Sequence, residues 1–233
     1  MTINKNYLLF FLLFIYTVTG IYLSITTGIS HDEYHEQLNW EINFAAIKSF
    51  FTNGDTNILL NYNDKYHGIG FHFVSQPLQV LLNNFVSNLN KVSVHGGFLI
   101  SKHAVVFLLF SISGIFFYFL CLKISQNTNF SILAVFIYLL YPYFFGHAQI
   151  NPKDMPFLSI WIISSYFYLT IIENLFLEKK DIKKVIILLS FLTAYLASIR
   201  ISGLIIFVEF IIGLLILFNL KKIKLVDFLK KNL

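Results

Sequence analysis

Charge is what this chain has least of. Of its 233 residues only 12% are Asp, Glu, Lys or Arg, where a soluble domain carries about a quarter. That shortage excludes a globule coated in solvated charge. Cysteine is nearly absent as well. The single Cys121 lies in an apolar run, so an internal disulfide and a cysteine-based metal cluster are both excluded. Proline is limited to four residues, and two of them, Pro152 and Pro156, bracket one short charged stretch. No internal repeat or low-complexity linker is visible. What the chain does have is apolar bulk: 57% hydrophobic residues, with 27 Phe and 13 Tyr. This composition describes an all-α polytopic membrane protein.

Apolar runs at Tyr7–Ile25, Phe98–Leu122, Ile132–Phe145, Met155–Leu175, Val185–Ile199 and Ile201–Leu220 predict about six transmembrane helices, the third short. The first run lacks a small-residue cleavage pattern and has the length of a span, roughly 20 residues, so it reads as a helix and not a removed leader. Residues 26–97 form a long first extracytoplasmic loop and 146–156 a second. Within the first loop, Tyr34–Phe51 has the apolar spacing of an amphipathic helix at the membrane interface. Gly54, Asn61 to Asp64, Gly68 and Gly70 then break regular structure.

Lysine placement orients the spans. Lys5, Lys123, Lys179, Lys180, Lys183, Lys184 and those from Lys221 to Lys231 fall on one side of the predicted membrane. Lys48, Lys65, Lys91, Lys102 and Lys153 fall on the other, mostly in the long loop, which counts for little. Both termini are therefore expected in the cytoplasm. The net charge of +5 is a topology signal, and no nucleic-acid partner is expected. The tail from Lys221 to Leu233 is basic and amphipathic, a solvated or membrane-surface end.

Three segments could carry chemistry, and all three fall on the outer face. HDEYHE, His31 to Glu36, offers adjacent acids at a membrane rim, where one carboxylate can take a proton from an acceptor hydroxyl. Two other uses stay open: acids capping the interfacial helix, or zinc ligation by His31 and His35, four apart as in HExxH but with Asp32 in place of the glutamate. In NPKDMP, Asn151 to Pro156, Asp154 can cap a helix, while Lys153, His147 and Asn151 emerge at the same face, where a helix N-terminus suits a phosphate. Arg200 interrupts a nearly charge-free stretch, at a cost of about 2.5–3.5 kcal/mol if it lies within the bilayer, so it needs a partner or an aqueous cavity. Glu209, nine residues on, falls on the opposite helix face and is expected to pack against another helix. His95, Lys102 and His103 read as interfacial anchors.

Taken together, these segments resemble the GT-C-type integral membrane glycosyltransferases, specifically bacterial relatives of the protein O-mannosyltransferases. The resemblance rests on Asp32-Glu33 after the first helix, on FGHAQINPKDMPF from Phe145 to Phe157, and on SIRISGL from Ser198 to Leu204. The middle segment is the specific one. The resemblance implies a sugar transferred, with inversion, from a polyprenyl-phosphate carrier to an acceptor outside the bacterial cytoplasmic membrane. It implies Asp32 as general base, Glu33 orienting it or the sugar, and Asp154 completing an acidic catalytic site. Lys153 and Arg200 would neutralise the phosphate, with His147 and Asn151 beside them in the donor site. The resemblance points to no definite cofactor beyond the lipid-linked sugar phosphate as donor substrate, and a divalent metal is compatible with the acids. Members of that family usually continue well beyond six helices, so residues 1–233 are expected to correspond to a single N-terminal module, either a minimal catalytic unit or one completed by a C-terminal half. The alternatives are an inactive, truncated homologue that packs against other helices and, behind it, the zinc protease using His31 and His35.

Overall fold

A computed structural model describes residues 5–55, 57–176 and 183–221. Lys179, Lys180 and the tail beyond Lys221 lie outside them. Among the described residues there are ten α-helices and one 3-10 turn, with no strand. The elements are α1 (Lys5–Thr26), α2 (Glu33–Asn53), α3 (Asn57–Leu60), α4 (Gly70–Asn90), α5 (Val94–Ser125), α6 (Thr128–Leu140), α7 (Pro142–Ile150), α8 (Asp154–Phe176), α9 (Lys183–Ile199), the 3-10 turn (Ile201–Ile205) and α10 (Ile206–Lys221).

Among the described residues three helices, α1, α5 and α8, are long and apolar enough to cross a membrane. The 22 residues of α1 extend about 33 Å, matching a hydrocarbon layer of about 30 Å. A fourth span arises if α6 and α7 count as one, bent by 54°. Pro142 causes that bend. It biases Tyr141 towards extended backbone, and Tyr141 adopts φ −58°, ψ 120°. The carbonyl of Leu139, next to the break, accepts the Tyr16 hydroxyl of α1 at 2.8 Å. The six apolar runs of the sequence thus resolve into three or four helices of spanning length. The remainder, α9 with 17 residues and the apolar run Ile201–Ile216, are shorter.

Packing centres on α5, which touches α1, α4, α6, α7 and α8. Val106, Phe107 and Phe110 of α5 are fully buried and meet Leu13, Tyr138, Leu139 and Ile160 in one apolar core. Polar contacts then distinguish the two ends of the bundle. At one end Lys5 donates to Asn129 at 2.9 Å, Tyr118 to Asn6 at 3.0 Å, and Lys123 pairs with Glu173. At the other end the C-termini of α1 and α9 meet the N-termini of α5 and α8, and the candidate residues collect there.

Helix α4 has no counterpart among the elements expected from the sequence, where this stretch reads as irregular loop. It carries no charged residue, includes Pro77, and packs along the start of α5. Its side-chain amides do the anchoring: Gln79 donates to the Phe98 carbonyl at 3.0 Å and Asn90 to the Ile25 carbonyl at 2.7 Å. Just before it, Gly68 approaches the end of α9 so closely that a methyl group would collide with the backbone carbonyls of Ser198 and Ile199. That approach needs glycine, and it ties the first loop to the residues beside Arg200.

Overpacking against rigid backbone costs about 1–3 kcal/mol. Gly68→Ala is therefore expected to lower the midpoint of thermal unfolding in detergent. Gly28→Ala, where an added methyl meets nothing within 4 Å, serves as the neutral control.

Candidate functional site

Both acids of the proposed site could have been consumed as helix caps, and neither is. Asp32 occupies the N-cap position of α2 but makes no side-chain capping bond, and its carboxylate is exposed. At the start of α8 the capping is done by Asn151, whose Oδ1 accepts from the Lys153 N–H at 3.0 Å and the Asp154 N–H at 2.8 Å. The Asn151 Nδ2 then donates to Asp154 Oδ2 at 3.2 Å and to His147 Nδ1 at 3.1 Å, leaving the His147 Nε2 to carry the ring proton. Thus the asparagine saturates the helix end, and the carboxylate of Asp154 is free to face elsewhere.

It faces Arg200. That residue follows α9 in extended conformation, φ −147°, ψ 133°, and its guanidinium sits 2.7 Å from Asp154 Oδ1. Lys153 makes the parallel contact with Glu36 of α2 at 3.1 Å, in a more enclosed position. These two pairs join the first loop, the start of α8 and the end of α9. The exposed Arg200–Asp154 pair contributes about 0–1 kcal/mol, while the more enclosed Lys153–Glu36 pair is screened less, and together they register the segments.

Asp32, Lys153, Asp154, Arg200, His147 and Asn151 all line one cavity of about 420 Å³, together with Ser30, His35, Glu36, His67, Ile150 and Pro152. Sequence alone does not assign three of these, Glu36, His35 and His67, to the candidate site. Glu36 lies one helical turn from Asp32, so the same-face spacing was there to be used. Asp64 stands between the two histidines, 3.1 Å from His35 Nε2 and 3.8 Å from His67 Nδ1. Among the described residues no group of three or more His, Cys, Asp or Glu is placed to hold a metal ion. A second, more open cavity of about 340 Å³ shares His67, Lys153 and Arg200 and is otherwise lined by Tyr66, Gly68, Ile201 and Ser202, with no carboxylate.

Glu33, expected to orient Asp32 or the sugar, does not itself reach the cavity. It is 1% exposed, lies off the cavity lining, and points into the bundle, where Oε2 meets His103 Nε2 at 2.8 Å and Oε1 accepts the Ser30 N–H at 2.6 Å. The reading of Lys102 and His103 as interfacial anchors is corrected too. Both are wholly buried, because the first loop folds back over the start of α5 and supplies them with partners. Lys102 donates to Gln37 at 3.2 Å and meets His72 Nε2 at 3.1 Å. Glu209 does pack against another helix: its carboxylate accepts from Trp161 at 2.6 Å and Ser165 at 2.9 Å of α8.

Burial, followed by the Lys102 charge, lowers the His72 pKa from 6.5 to about 3. The ring is therefore neutral, and its Nε2 accepts from Lys102. Between those values the unfolded chain binds a proton that the folded chain refuses. Stability therefore falls as pH drops through the window, by up to about 1.4 kcal/mol per unit. Thermal unfolding in detergent is expected to shift down between about pH 7 and pH 5, with a shallower slope in His72→Asn.

Comparison with protein-family models, with curated proteins and with solved structures finds no match for this chain.

Proposed function

We propose that the chain is a membrane glycosyltransferase module that moves a sugar from a polyprenyl-phosphate carrier to an acceptor at the outer face of the bacterial cytoplasmic membrane. The observation that carries this reading is the convergence of Asp32, Lys153–Asp154 and Arg200, from three distant segments, on one cavity at one end of an apolar bundle. The lysine distribution supports six spans with both termini in the cytoplasm, α9 and the Ile201–Lys221 segment serving as the shorter pair. The cavity then opens on the outer side.

Asp32 has a free carboxylate in that cavity and acts as general base. As the acceptor oxygen attacks the anomeric carbon, its proton passes to Asp32. The bond from that carbon to the phosphate oxygen breaks, and the electron pair leaves on the phosphate. Attack from the face opposite the leaving group inverts the anomeric centre. Developing charge on the phosphate needs fixed cations or donors, and Lys153 and Arg200 supply them. Asp154 holds Arg200 in place until the anion arrives.

The two cavities divide this work. Three carboxylates, Asp32, Glu36 and Asp154, line the first and repel a phosphate. The second presents Lys153 and Arg200 without any acid and adds the Ser202 and Tyr66 side chains. The phosphate therefore belongs in the second and the acceptor in the first, with the cations between. Ile201, Leu204, Ile205 and Val208 are exposed along the segment leading away from the second cavity, an apolar track suited to a polyprenyl chain.

Asp32→Asn is expected to lower turnover by about 10²–10⁴-fold, the usual contribution of a general base, in membranes supplied with labelled lipid-linked sugar. Insertion should be unchanged; full transfer by this variant would sink the assignment. Arg200→Gln removes a charged donor worth about 1.5–3 kcal/mol, so the lipid-linked sugar needed for half-maximal rate should rise at least about tenfold.

A further inference from the structure

We propose that Lys102 and His103 are positioning residues that set the rotation of α2 about its own axis, and so decide which carboxylates face the cavity. Helix α2, expected from its sequence to be amphipathic, lacks the apolar stripe that normally does this. Its buried residues are Glu33, Glu36, Gln37, Asn39, Trp40, Asn43 and Ala46, only two of them apolar. Phe44, Phe50 and Phe51 are exposed instead. Of its large apolar residues only Trp40 is buried, stacked on His72 and edge-on to Phe73 of α4. Hydrophobic burial thus holds α2 at one point and leaves the preference for one angle in its first turns to other contacts.

Polar contacts supply that preference. His103 Nδ1 lies 3.0 Å from the Ser24 carbonyl, which can only accept, so this nitrogen carries a proton. Its Nε2 shares a second proton with Glu33 at 2.8 Å. One turn further along α2, Gln37 accepts from Lys102 at 3.2 Å. Two adjacent residues of α5, both wholly buried, thus hold Glu33 and Gln37, which lie on one stripe of α2. Asp32 and Glu36 form the neighbouring stripe, about 100° away per residue step, and reach the cavity as a result. Slipping the clamp by one residue would exchange the stripes. Leaving one member of such a buried pair unpartnered is costly, so the clamp has one satisfied setting.

The orientation is read directly by cross-linking, independently of any activity. In full-length protein carrying Cys121→Ser, Glu36→Cys and Lys153→Cys, a short thiol cross-linker should join the two introduced cysteines. Adding His103→Ala, Glu33→Ala or Lys102→Met should remove most of the product. Glu33→Gln should restore it, because the amide can donate to His103 while its oxygen accepts from Ser30. Undiminished cross-linking in His103→Ala and Lys102→Met would overturn the proposal. So would failure of Glu33→Gln to do better than Glu33→Ala. Where the alanine variants do not fold, the contrast between Glu33→Gln and Lys102→Met decides the same question.

The kinetic arm rests on the transferase reading. With Glu36 and Lys153 intact, His103→Ala should lose about 100-fold in turnover, the scale of a misplaced reacting group, with the donor KM little changed. A raised KM at unchanged turnover would overturn the positioning role. Absence of transfer in the parent protein would sink the transferase reading alone, with cross-linking still judging the clamp.

Discussion

Taking Glu33, Lys102 and His103 out of water costs several kcal/mol per charged group, and only mutual hydrogen bonding offsets it. The arrangement of this end of the bundle follows from that constraint. Lys102 and His103 sit where α5 would otherwise be bare, so the first loop must return to cover them. It does so with α2 on one side and α4 on the other, contributing Glu33 and Gln37 from the first and His72 from the second. A loop that folded elsewhere would leave a lysine and a histidine in an apolar interior without partners. The requirement to solvate two residues of one helix thereby orders the long first loop.

The cavity is built in front of this layer, with weaker forces. Its cations and acids pair across segment boundaries, Lys153 with the largely buried Glu36 and Arg200 with Asp154, the latter at partly exposed positions where screening is substantial. Pairs of this strength can open when an anion competes for the cation. The contrast between a rigid interior and an exchangeable front suits a site that must hold its acids still while its cations change partners.

The sequence displayed some of this and hid the rest for physical reasons. Charge scarcity and the apolar runs announced a helical membrane protein, and α1, α5 and α8 answer to that pattern. The prolines around Lys153–Asp154 marked a helix boundary, which lies where α7 gives way to α8. Helix α4 was missed although Phe71, Val74, Leu78, Leu81, Phe85 and Leu89 recur at helical spacing, because the glycines before it and Pro77 argue locally against a helix. The roles of Lys102 and His103 were illegible because their partners are 30 to 79 residues away. Local spacing carries no information about such distances. For Asp32 and Asp154 the capping reading and the site reading were equally compatible with the chain. Only the position of the Asn151 side chain separates them at α8.

The elbow between α6 and α7 has its own consequence. A break in a helix within an apolar medium normally makes a joint, since the carbonyls near it are free to seek new donors. Here the Leu139 carbonyl is already occupied by the Tyr16 hydroxyl of a neighbouring helix. The phenol takes the place of a backbone amide that a continuous helix would have supplied. The elbow is thus a fixed bracket, whose angle is held from outside the chain segment it bends. The residues mounted beyond it, His147 and Asn151, inherit their reach into the cavity from a tyrosine near the middle of the first helix.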